Sequence, residues 1–291
     1  MKIKILLTAF VSSFYILHSS LPASATTTVD AANHYAYAAN LGWVDWRGDT
    51  ANGAVIGDYV CAGSIYSANV GWINLGSGSP INGIRYQNLA AGDFGVNHDG
   101  LGNLRGYAYG ANIGWINFVD TGAPTVDLRT GNLSGSVWSA NCGWISLSNA
   151  VAFVQTDSFW PGVLDANDLP IAWELTYFGA TALDPNADPD HDGMSNLQEY
   201  LAGTNPTNAA DALEITAYTT SPDGTTNLVT WTSVPTRFYY LQKTMGLGVS
   251  DWLDSGLGLI APDGATTTRS VANTNAPMRF FSVRAVRPLA P

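Results

Sequence analysis

The chain has 291 residues, room for two or three modest domains, and carries 12 basic against 23 acidic residues for a net charge of −11. Such an acidic chain repels a polyanion, and no basic stripe is present, so nucleic acid is excluded as a partner. Only 12% of residues are charged, so Gly, Asn, Ser and Thr must carry much of the solubility.

Residues 1–25 read as an export signal. Lys2 and Lys4 start it, an apolar stretch runs from Ile5 to Leu17, and "LPASA" places small residues at Ala23 and Ala25. Cleavage is therefore expected before Thr26, leaving 10 basic and 23 acidic residues and a net charge of −13. No later stretch reaches about 20 unbroken apolar residues, so no transmembrane segment is expected in the mature chain. The expected location is outside a bacterial cell, secreted or at the cell surface. Two cysteines, Cys61 and Cys142, could form one bridge there or remain two buried thiols.

Residues 26–155 hold a fourfold repeat. "YAYAANLGWVDW" (35–46), "SIYSANVGWINL" (64–75), "YAYGANIGWINF" (107–118) and "SVWSANCGWISL" (136–147) align without gaps. Their tryptophans, Trp43, Trp72, Trp115 and Trp144, are spaced by 29, 43 and 29, which implies a pair duplicated at a shift of 72 residues. Each unit reads as a β-hairpin. A-N-x-G supplies the turn, because Asn tolerates and Gly accepts positive φ. Alternation then puts Ile73 and Leu75 on one face and Trp72 and Asn74 on the other. The purely apolar face must be core. Tyr37, Tyr66, Tyr109 and Trp138 can lean on their own repeat's Trp across the hairpin. Two roles stay open for this second face: packing hairpin against hairpin, or stacking on sugar rings. The Gly-rich connector 76–106 contains Asp93, Asn97 and Asp99, and either covers the hairpins or orders around a cation.

Residues 156–208 change character. Within "DANDLPIAWELTYFG" (165–179), Asp168 suits an N-cap, Pro170 the first turn and Gly179 the end of a helix. A second helix is expected near Ser195–Leu201, closed by Gly203. Between them, "DPDHDGMSNLQE" (188–199) matches D-x-[DN]-x-[DN]-G-x5-E throughout. Asp188, Asp190 and Asp192 would turn oxygens inward, and Gly193 would make the sharp turn. Met194 would offer its backbone carbonyl, Asn196 would act through water, and Glu199 would close the shell with two oxygens. Their mutual repulsion is tolerable if a divalent cation sits among them, and Ca2+ suits so many protein oxygens better than Mg2+. Asp184 and Asn186 extend the alternation and could serve a second ion.

These residues carry a resemblance. "LPIAWELTYFG…DPNADPDHDGMSNLQEYLAGTNPTN" resembles the thrombospondin type 3 or dockerin-like EF-hand calcium-binding segments of exported bacterial proteins. The resemblance covers about 45 residues and implies Ca2+ ligands at Asp188, Asp190, Asp192 and Glu199. "DHDG" stands where that family has "DGDG", and one complete loop rather than two argues against cohesin docking. The hairpins resemble the "GYAWSxNxGWI" repeats of bacterial surface proteins.

Residues 209–291 contain short β-prone runs, "ALEITAY", "NLVTWTSV", "FYYLQKT" and "RFFSVRAV", between turn-rich segments. A small β-sandwich is expected, with Trp231 and Tyr240 facing its core. It resembles the fibronectin type III-like domains that follow such calcium segments. The whole is therefore expected to be mainly β: a hairpin-repeat domain of barrel or sandwich type with pseudo-twofold duplication, a short α-helical EF-hand-like linker, and a C-terminal β-sandwich.

No G-x-S-x-G, HExxH or phosphate-cradling loop occurs, and the prominent acids are assigned to metal, so no catalytic residues are expected. The expected role is structural or adhesive, with Ca2+ rigidifying the link between β domains. The expected partner is a cell-surface glycan or another surface protein. The alternative is a carbohydrate-binding module that uses the Trp face, or an accessory domain of polysaccharide degradation. A glycoside hydrolase would need two close carboxylates in a cleft.

Overall fold

The computed structural model describes residues 27–246, 252–273 and 280–290. The expected export signal lies outside them. The described chain is mainly β, and falls into two compact units. One holds residues 27–185 with Pro235–Phe238 and the tail 286–290; the other holds Asn186–Val234 and Tyr239–Ala285.

The four repeats form four hairpins: Val29–Ala38 with Gly42–Asp45, Ala62–Ser67 with Gly71–Ser77, Leu104–Gly110 with Gly114–Phe118, and Ser136–Ser139 with Gly143–Ser146. Each pairs antiparallel with the next. The last returns to the first through Tyr37 opposite Ser146, which closes an eight-stranded barrel. Closure leaves no free edge between the repeats. Of the two architectures that the alternation allowed, barrel and sandwich, the first is realised.

The joints repeat with one register. Asp45 lies opposite Tyr66, Asn74 opposite Tyr109, Asn117 opposite Trp138, and Ser146 opposite Tyr37. The polar residue two places after each Trp thus meets the aromatic of the following hairpin. Repeat sequence therefore dictates both the hairpin and its neighbour.

Inside the barrel, the first strands supply mostly small residues, with Ile65 and Val137 the larger exceptions, and the second strands supply large ones. Ala36, Ala38, Ser67, Ala108 and Ser139 are buried, as are Val44, Trp46, Ile73, Leu75, Ile116, Phe118, Ile145 and Leu147. That alternation fills a narrow eight-stranded interior without a channel. Burying each large side chain contributes about 1.5–3 kcal/mol. Leu41, Ile113 and Cys142, the variable residue of A-N-x-G, are buried at the turns, and Val70 packs beside them.

In these turns positive φ falls on the glycine: 77° at Gly42, 79° at Gly71, 75° at Gly114 and 81° at Gly143. The expected left-handed Asn is not needed, and the asparagine has another task. The Asn69 amide donates to Leu41 O at 2.9 Å, Asn112 to Val70 O at 3.0 Å, Asn141 to Ile113 O at 2.8 Å, and Asn40 to Cys142 O at 3.2 Å. These four bonds run from each turn to the preceding one, all the way round the barrel. The asparagine amide, on its short stem, supplies the donor at each gap.

The connector 76–106 is a covering loop. Asp93 accepts from the Ile81 and Gln87 amides, Asn97 brackets both backbone groups of Tyr86, and Asp99 caps its own turn. Tyr86, 3% exposed, donates to Cys61 O and accepts from the Gly78 amide. Both cysteines are free and buried. The tail returns to this unit: Arg287 pairs with Asp58, and Leu289 packs on the barrel core.

In the second unit two three-stranded sheets enclose one core. The first comprises Ile215–Thr220, Thr226–Thr232 and Thr266–Ala272; the second comprises Leu253–Asp254, Phe238–Thr244 and Phe280–Val286. Val229, Trp231, Tyr239, Leu241, Ile260 and Val271 fill it. Trp231 is inside as expected, but Tyr239 takes the place assigned to Tyr240. The strand register turns Tyr240 outward, where the Arg284 guanidinium sits 4.9 Å from its ring centroid.

Candidate functional site

Two helices carry the acidic segment: α1 (Ile171–Phe178) and α2 (Asn196–Ala202). Each ends on a left-handed glycine, Gly179 and Gly203. The N-cap of α1 is Pro170, not Asp168 as the sequence suggested. Asp168 has φ 64°, outside the extended range an N-cap adopts, and so ends the preceding loop. Ser195 caps α2: its Oγ accepts the Gln198 amide at 3.4 Å, and Gln198 Oε1 accepts the Ser195 amide at 2.7 Å. Ser195 and Gln198 thus form a capping box.

The cap fixes where α2 begins and so where Glu199 points. Asp188, Asp190 and Asp192 each offer a carboxylate oxygen within 4.8 Å of the other two. The loop is wound by its own acids. Asp188 accepts from the His191 amide at 2.8 Å and from the Gly193 amide at 3.0 Å, and Asp192 accepts from the Met194 amide at 2.7 Å. Gly193 has φ 96°, and no atom lies within 4 Å of where its Cβ would be, so backbone angle rather than crowding requires the glycine.

Winding uses only part of the oxygen supply. Asp190 Oδ2, Asp192 Oδ2 and Glu199 Oε2 are buried without a hydrogen-bond partner. Glu199 is fully buried, with its other oxygen accepting weakly from Thr204 at 3.4 Å. Burial, and then the Asp190 and Asp192 charges, push its carboxyl up to about 8. Asp192 is also raised, by burial first and by Asp190, Asp188 and Asp211 after it. Converging acceptors without donors are the inverse of what a stable protein tolerates, unless a cation is present to take them. A hard cation fits this donor set, which is all oxygen. Asn196 is buried beside them, at the start of α2. Met194 faces the other way: its Sδ accepts the Leu213 amide at 3.3 Å, tying the loop to the head of the sandwich. Asp184 is exposed and lies outside the three-aspartate group.

The aromatic face forms a belt outside the barrel. Each hairpin carries one cross-strand pair with ring centroids about 5 Å apart: Tyr37–Trp43, Tyr66–Trp72, Tyr109–Trp115 and Trp138–Trp144. The rings stay 39–47% exposed. What covers the rest repeats around the barrel. The backbone after each hairpin leans on the Trp of the following one. A Cβ at Gly48 would lie 3.5 Å from Trp72, and one at Gly122 would lie 2.8 Å from Trp144. Phe94 meets Trp115 edge-on at 5.1 Å, and Ala152 shares a crevice with Tyr35 and Trp43. The tryptophans therefore clamp hairpin to hairpin through one edge and present the other to solvent. Hairpin packing was one of the two roles the sequence left open, but sequence alone did not reveal its partners, which are two glycines, a phenylalanine and an alanine at unrelated spacings.

The histidines stay apart. His98, 1% exposed, bridges Gly57 O and the Gly102 amide, and burial lowers its pKa. His34 pairs with Asp45 at 2.7 Å, and His191 is exposed. A cavity of about 240 Å³ in the barrel unit is lined by Tyr59, Pro80, Ile84, Trp160 and Ile171 among others. No carboxylate stands among its described lining residues. Among the described residues no helix is long and apolar enough to cross a membrane. In comparisons with protein-family models, curated proteins and solved structures, the chain finds no match.

Proposed function

We propose that the protein is an exported calcium-binding module with a structural and adhesive role. Ca2+ orders the loop 188–199 at the head of the C-terminal sandwich, and the barrel presents its aromatic belt to a surface partner. The observation that carries the calcium reading is Glu199 Oε2, buried and without a donor, beside the unpartnered oxygens of Asp190 and Asp192. Metal binding and local order are then one equilibrium. Calorimetric titration of the purified chain with Ca2+ tests it, together with limited proteolysis across residues 180–200. Saturable binding and protection by millimolar Ca2+ are expected; identical digestion in Ca2+ and chelator refutes the reading.

The second reading makes the belt a glycan platform. It is favoured by eight half-exposed rings, each flanked by Asn, Asp or Ser that can bond hydroxyls. The clamp described above accounts for the repeated Trp without any ligand, so this reading stands second. Soluble polysaccharides added to the protein should quench its Trp emission if the exposed edges stack on sugars. Unchanged emission across a glycan panel removes glycans and leaves a protein surface as the partner.

A further inference from the structure

Loop 188–199 has a degenerate copy 25 residues earlier. Asp165 stands where Asp190 does, Asn167 where Asp192 does, Asp168 where Gly193 does, Leu169 where Met194 does, and Glu174 where Glu199 does. The match extends to backbone form. Asp168 has φ 64° and Gly193 φ 96°, the two positive-φ residues at the same step before their helices. Pro170 and Ser195 are the two N-caps, and Glu174 and Glu199 each occupy the fourth residue of the helix that follows.

Side-chain geometry completes the likeness. Glu174 is fully buried, and its Oε1 accepts the Leu183 amide at 2.8 Å. Its Oε2 is buried without a partner, and so is Asp165 Oδ2. Asp165 Oδ1 is used to wind the loop, accepting the Asn167 amide at 2.8 Å and the Leu169 amide at 3.0 Å. The two carboxyl groups lie within hydrogen-bonding reach of each other. Asn167 is tied to the same stretch as Glu174, since its side-chain amide donates to Leu183 O at 3.0 Å.

We propose that Asp165 and Glu174 hold a second Ca2+ ion, in a loop of the barrel-bearing unit that repeats the geometry of 188–199 with fewer side-chain ligands. Val163 stands where Asp188 supplies a carboxylate, and Ile171 where Asn196 stands. Two acidic ligands rather than four make this the weaker site, with water completing the shell. The rival arrangement is a proton shared between the two acids.

The inference is independent of site 188–199, and the test keeps the two apart. Ca2+ binding to the full chain is measured by equilibrium dialysis at up to 10 mM, with Glu199→Gln, Glu174→Gln and Asp165→Asn variants checked for native circular dichroism. The wild type should bind two ions, each single variant one, and Glu199→Gln with Asp165→Asn none. The ion lost with Glu174→Gln should be the weaker, with at least tenfold higher Kd. A Glu199→Gln protein that takes up no Ca2+, or Glu174→Gln and Asp165→Asn proteins with unchanged stoichiometry, overturns the second site and leaves the shared proton. Should one of those two variants not fold, the other gives the same readout.

Discussion

Glu199→Gln should stabilise the protein in chelator and abolish its response to calcium. In the folded chain without metal, Glu199 is buried against two aspartates and its pKa rises from 4.5 to about 8. A raised carboxyl pKa means that the folded state holds its proton longer than the unfolded state does. Stability is therefore lost as pH climbs from about 4.5 to about 8. Between pH 4.5 and pH 7 this would cost roughly 3 kcal/mol, at about 1.4 kcal/mol per pH unit. Asp188, Asp190 and Asp192 are partly open to solvent, and screening on that side reduces the cost to about 1–2 kcal/mol. The glutamine side chain keeps the shape and the weak bond from Thr204 but removes the charge. In EDTA at pH 7 the variant should melt about 5–10 °C higher, at roughly 4–8 °C per kcal/mol for a unit of this size. In 10 mM Ca2+ the wild type should gain about 2.7 kcal/mol if its Kd is near 10⁻⁴ M, and the variant nothing from this loop. Scanning calorimetry of both proteins in both buffers reads the crossing. A variant less stable than wild type in EDTA, or one that keeps the full calcium shift, refutes the reasoning.

Three further outcomes follow from the barrel. Asn141→Ala removes the donor to Ile113 O and should cost about 1 kcal/mol in urea denaturation; Asn141→Asp, which keeps the shape but not the donor, should do no better. Ile116→Ala opens a cavity at a position 1% exposed and should cost about 2–5 kcal/mol by the same measurement. Cys61 is walled in, with its thiol pushed up to about 12 by burial, so a thiol reagent at pH 8 should find it inert in the native protein. Denaturation should then expose two titratable thiols; finding none would mean a bridge.

Much of the barrel was legible in the sequence because its information is local and repeated. Alternation in "GWINL" and "GWINF" separates core from surface without any knowledge of neighbours, and A-N-x-G marks each turn. The acidic loop was legible for a related reason: its carboxylates fall within twelve residues, so spacing alone brings three of them within 4.8 Å of one another. The errors were of a different kind. Asp168 read as a cap because an Asp ahead of a first-turn Pro170 is a good local signal, but a positive φ displaced it. Tyr239 and Tyr240 are adjacent, and only the sheet's register chooses which one enters the core. The turn asparagine was recognised and given the wrong task, since its acceptor lies in a different hairpin, 28 to 102 residues away.

By itself, then, the sequence determined the hairpins, the faces of their strands, the clustering of acids in 188–199 and the strand-rich C-terminal region. These depend on periods of two, on φ preferences and on a twelve-residue spacing, all properties of contiguous chain. Tertiary structure alone decided that the hairpins close into a ring and that each asparagine and each tryptophan fastens its hairpin to the preceding one. Those outcomes depend on which distant segments come within 3–5 Å, and hydrogen bonds and ring contacts act only over that range.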